Sequence, residues 1–155
     1  MSTGAADRAV FEYAVLRVVP RVERGELINA GVVVYCRAHG FVAARTALDE
    51  RRLLALDPDV DLPGVRAALR AVEHVCRGGA EAGQASGDDV GRRFRWLIAP
   101  RSTVVQPGPA HTGLTADPEA EVERLLDLLV RPPRADGGSG AGGGRSAVDS
   151  GGSGF

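Results

Sequence analysis

Between Phe11 and Thr46 the chain passes three times through a run of β-branched and aromatic residues, and only a few polar residues separate one run from the next. Phe11–Val19 ends at Pro20, and Leu27–Cys36 and Phe41–Thr46 come after it. Runs of this composition form strands. The connections 21–26 and 37–40 each contain a glycine and are too short for the crossover that parallel strands require. The first third of the chain must therefore be an antiparallel meander, and the remainder has to pack on its sheet.

Residues 47–131 read as helices and two further strands. Asp49 can cap a short helix over Glu50–Leu56, which stops before Pro58. Asp61 can cap a longer one with Pro63 in its first turn. Val65, Leu69, Val72 and Cys76 fall at i, i+4, i+7 and i+11, a single buried stripe, and Gly78-Gly79 ends it. A glycine-rich acidic loop, 80–91, leads to an apolar run at Phe94–Ala99, read as a strand, with a short strand at Thr103–Gln106. Asp117-Pro118 opens the last helix, whose core face is Val122, Leu125, Leu126 and Leu129, and Pro132-Pro133 closes it. The order β-β-β-α-α-β-β-α is that of an α+β fold, with helices packed on one face of a mostly antiparallel sheet.

The apolar periodicity occupies residues 9–131, enough for one domain with its own core. Residues 1–8 read as a leader. Of the 21 residues from Ala135 to Phe155, 13 are Gly or Ser. The tail 132–155 is expected to be disordered, since such a segment buries too little apolar surface to offset its ordering entropy. Gly138–Gly143 matches G-x-G-x-x-G but comes after no strand and opens no helix, so it is no dinucleotide site and no cofactor is implied.

Charge and residue usage narrow the chemistry. A formal net charge of −1 argues against a nucleic-acid binder driven by phosphate neutralisation. All 19 basic side chains are Arg, which removes lysine chemistry and leaves guanidinium groups, suited to carboxylate or phosphate. Two cysteines, no apolar leader and no long apolar run point to a reduced, cytoplasmic protein. Cys36-x-x-His39 and His74-x-Cys76 offer zinc-ligand types, but residues two apart on a helix diverge, and Cys76 completes an apolar stripe; no metal is expected.

The candidate site residues come from the strands and from Arg92–Pro118, which holds four arginines, the only tryptophan and one of three histidines. Alternation puts Arg17, Asn29, Gly31 and Arg45 on one face if the first hairpin centres near Glu23 and the second near Ala38. Arg17, Asn29 and Arg45 would then gather over a glycine as an anion pocket, unless the arginines pair with internal acids. Arg101, Ser102 and Thr103 could present hydroxyls and backbone N–H groups to an anion, or simply form a strand connection. His111 could serve as an acid or base, or be an ordinary loop residue. Arg93 and Arg95 alternate with Phe94 and Trp96, which reads as an amphipathic strand with its aromatics in the core.

The segments FEYAVLRVVPRVERGELINAGVVVYC, FVAARTALDERRLLALDPDVDL and RFRWLIAPRSTVVQPGPAHTGLTADP resemble, in this order, the bacterial domain-of-unknown-function family numbered 3037, from about Phe11 to Val130. The resemblance implies a small stand-alone bacterial protein often encoded beside a HipA-like kinase-fold protein, and it carries over no catalytic residue. Two functions stand as expectations. One is a non-enzymatic interaction or regulatory module, with a HipA-like protein as its partner. The other is a small enzyme or ligand-binding protein with an Arg-lined pocket for a phosphate- or carboxylate-bearing substrate.

Overall fold

The computed structural model describes residues 7–78, 90–101 and 103–134. Most of the expected leader and tail, the glycine-rich loop, Ser102 and the Gly138–Gly143 motif lie outside the described residues. The fold is α+β. Strands β1 (Ala9–Val18), β2 (Ile28–Cys36) and β3 (Phe41–Thr46) form the meander. Helices α1 (Glu50–Leu56), α2 (Leu62–Arg77) and α3 (Val90–Leu97) come next, then β4 (Val105–Pro107), β5 (His111–Thr115) and α4 (Pro118–Leu129). No helix among the described residues is long and apolar enough to cross a membrane.

Every strand pair is antiparallel, in the order β3-β2-β1-β4, with β5 also on β1. The ten residues of β1 are shared along one edge. Leu16–Val18 pair with β4, Ala9–Tyr13 pair with β5, and the Gly108 N–H bonds the Val15 carbonyl between them at 2.7 Å. β4 and β5 are thus one strand line interrupted at Pro107-Gly108-Pro109, where the prolines have no N–H to give.

Register decides the faces. The first hairpin pairs Arg17 with Asn29, as the centre near Glu23 requires, but a bulge between Leu16 and Arg17 shifts the pairing so that Leu16 faces Gly31. The second hairpin pairs Cys36 with Phe41 and Gly31 with Thr46, one residue off the expected match to Arg45. Its connection is a short 3-10 turn, Arg37–His39, closed by Gly40 at φ +56°, so the centre falls between two residues. Gly31 therefore lies on the face opposite Asn29. There a Cβ would meet the Arg45 carbonyl oxygen at 2.8 Å and the Leu16 side chain at 3.2 Å, so the glycine allows β2, β3 and Leu16 to close up.

Helices cover both faces of the sheet, not one. On one side α4 lays Val122, Leu125 and Leu126 over Phe11, Val32, Val34 and Cys36. On the other, Val75 and Cys76 of α2 and Phe94 and Leu97 of α3 pack on Leu16 and Val33. At the end of that face Leu53 of α1 and Val65 and Leu69 of α2 cover Val18 and Ile28. The reason is legible in β2. Val32, Val33 and Val34 are consecutive and fully buried, the signature of a strand with two covered faces rather than one.

The three caps form as their residues require. The side chains of Asp49, Asp61 and Asp117 accept hydrogen bonds from the N–H groups of Arg52, Gly64 and Ala120. The expected strand at Phe94–Ala99, by contrast, is the second half of helix α3, to Leu97, and the turn that follows it. The four alternating residues Arg93–Trp96 also fit a helical period, and Val90, Phe94 and Leu97 lie at i, i+4 and i+7, which turns the latter two inward. Phe94 is fully buried, whereas Trp96, expected beside it in the core, is 37% exposed.

Candidate functional site

The expected anion-site residues separate into two places. Arg17, Asn29 and Arg45 do lie on the α4 side of the sheet, but Arg45 and Asn29 are engaged there. Arg45 Nη2 donates to Glu119 Oε1 at 2.8 Å, and Nη1 is paired with Glu123. The Glu123 carboxylate holds Arg45 further in its charged form, and the Glu123 carboxyl is lowered in return. Asn29 Nδ2 donates to the Leu129 carbonyl at 2.9 Å and so ties β2 to the end of α4. Arg17 is left between Asn29 on β2 and Gln106 on β4, with its buried Nε unbonded among the described residues and Gly108 packed against its guanidinium. His111 opens β5 and tilts against Tyr13, with ring centroids 5.3 Å apart. It is a strand residue, not a loop residue.

Arg101 and Thr103 lie on the opposite side, at a groove outside the anion pocket read from the sequence. Its floor is an apolar stripe of α2: Ala68, Ala71, Val72 and Val75, at i, i+3, i+4 and i+7. Its wall is Trp96 of α3 with Arg101 and Thr103–Val105. The cavity measures about 410 Å³ and its lining is mostly apolar. The Arg101 guanidinium lies over the Trp96 ring, 4.1 Å from the centroid, and Nη2 donates to the Trp96 carbonyl at 2.6 Å. The stacking fixes the plane of the fork at the mouth of the groove. Thr103 Oγ1 donates to the Val105 carbonyl at 2.6 Å, which shapes the turn. Ser102, between them, is outside the described residues.

A second cavity, of about 400 Å³, adjoins the first across Ala68 and Val104 and is lined by Asp57, Asp59, Asp61 and Gly64. Asp57 is buried and accepts from Arg21 Nη2 at 3.3 Å and from the Asp59 N–H at 3.0 Å. The two compartments run along α2, with one guanidinium in the first and carboxylates in the second. The signal that could have found them is the pair of alanines beside the buried stripe: small residues that widen the apolar arc of α2 beyond what the core covers.

The two cysteines lie in different clusters, Cys36 under α4 and Cys76 under α3. Burial pushes the Cys76 thiol up to about 12. Among the described residues no three His, Cys, Asp or Glu side chains gather as a metal site would need.

No curated protein and no solved structure matches the chain. A family profile does, over residues 13–130, most of the described fold and nearly the stretch on which the sequence resemblance rested. The chain belongs to the family described as Protein of unknown function (DUF3037).

Proposed function

We propose that the chain is a non-enzymatic interaction or regulatory module and that the groove along α2 is its recognition surface. One observation carries this reading: an apolar concavity bordered by a partly exposed tryptophan and an arginine stacked on it. Trp and Arg are among the residues most enriched at the energetic centres of protein interfaces. The engagement of Arg45 and Asn29 in contacts with α4 supports the same reading, because it makes both residues ties within the fold. The partner we propose, from the family resemblance, is a HipA-like kinase-fold protein in a bacterial cytoplasm. Co-expression with such a protein encoded beside this chain should give a complex that co-elutes on size exclusion. Trp96→Ala and Arg101→Ala should each abolish co-elution or weaken the affinity at least tenfold. A complex indifferent to both variants would count against the groove, and no complex against the partner.

A second reading, a ligand-binding protein for a carboxylate or phosphate, is favoured by Arg17 alone. Its Nε is buried and unbonded among the described residues, and two carboxamides flank it. A saturable rise in thermal midpoint with phosphate, lost in Arg17→Ala, would move the balance to this reading.

A further inference from the structure

The groove is polarised. Its first compartment ends in the one guanidinium of Arg101, and its second, joined to the first at Ala68 and Val104, is lined by aspartates. Of these, Asp57 is already paired with Arg21, and Asp61 Oδ1 caps α2 at the Gly64 N–H. The exposed Asp59 carboxylate has no ion pair among the described residues, and the second oxygen of Asp61 accepts no hydrogen bond among them. Arg101 uses one nitrogen on the Trp96 carbonyl, which leaves donors of its fork for a carboxylate. Between the two charges the walls are apolar.

We infer that the groove takes an extended protein segment with a basic side chain at one end, apolar side chains in the middle and an acidic side chain at the other. This rests on the reading of the groove as a docking surface. The basic group sits over Asp59 and Asp61, the apolar side chains enter between Val72, Trp96 and Val104, and the acid meets Arg101. The length fits such a segment. From Gly64 to Val75 the floor of α2 extends roughly 16 Å at 1.5 Å per residue, which is about five residues of extended chain. A segment with the charges reversed would set like charges against each other at both ends, so the same polarity selects direction as well as composition.

A random peptide library displayed on phage, selected on the full chain, tests this. The wild type should enrich peptides with Lys or Arg and Asp or Glu at opposite ends of an apolar stretch, in one constant order. Ala71→Trp, at an exposed position of the floor, should fill the groove and cut that enrichment at least tenfold. Asp59→Asn should weaken the preference for the basic residue, with Asp61 still in place, and leave the apolar one. The paired change Asp59→Arg and Arg101→Glu should invert the charge order. Peptides that depend on the open groove but show no charge pattern would overturn this inference and leave the docking reading standing. Equal enrichment on the wild type and on Ala71→Trp, or none on either, would overturn both.

Discussion

At the scale of single residues, the groove and the core place opposite demands on neighbouring side chains. Cys76 sits on the core side of α2, and desolvation holds its thiol protonated, well above its ordinary value of 9.0, at about 12. A thiol whose folded value is raised contributes stability that is complete below its unfolded value and is lost as pH rises through the folded one. The protein should therefore lose stability progressively between about pH 9 and pH 12, and Cys76→Ala should remove that part of the alkaline loss. Thermal melts of the two proteins across this range measure it. Equal alkaline slopes would show that Cys76 ionises as freely in the fold as outside it. The same burial makes the folded thiol slow towards thiol reagents at neutral pH.

At the scale of elements, α3 links the core to the groove. Phe94 is fully buried and stacks on Tyr35 with ring centroids 5.2 Å apart, while Trp96 lies partly exposed against Arg101. Phe94→Ala should cost about 3–5 kcal/mol of stability, the usual range for emptying a buried aromatic site. Trp96→Ala should cost clearly less, on the order of 1 kcal/mol, since Trp96 is partly exposed and outside the buried core. Urea denaturation separates the two. Comparable losses would return Trp96 to the core, where strand alternation would have put it. The residues RRFRWL carry too little length to tell a period of two from one of 3.6. The neighbours that bury Phe94, on β2 and α2, are distant in the chain. β5 escapes the sequence for a related reason: HTGLT pairs with β1 at the far end of the fold, and nothing local marks it. The caps at Asp49, Asp61 and Asp117 are legible because capping is local chemistry. The first hairpin is legible as far as Arg17 and Asn29, but the bulge beside them has no sequence mark of its own, and it turns Gly31 to the other face.

At the scale of the whole molecule, a central sheet is sandwiched between α4 on one side and α1, α2 and α3 on the other. The strand arginines that suggest an anion pocket lie on the α4 side, where Arg45 and Asn29 bind α4. The groove opens on the other side, where the helix floor, Trp96, Arg101 and Thr103–Val105 meet. The family membership and the antiparallel core are open to sequence reasoning. The site as a whole is not: the alanines of α2 hint at its floor, but only the packing of α2 against α3 and β4 brings that floor to Trp96, Arg101 and Thr103–Val105. Trp96 is the only tryptophan in the chain, so its emission reports on the groove and nowhere else. The most direct measurement is the Trp96 fluorescence of this chain titrated with a HipA-like partner from which tryptophan has been removed. Occupation of the groove should shift the emission to shorter wavelength, saturably and with the affinity of the complex, and the Ala71→Trp variant should fail to form that complex. A complex that assembles with Trp96 emission unchanged would place the interface elsewhere and contradict the account.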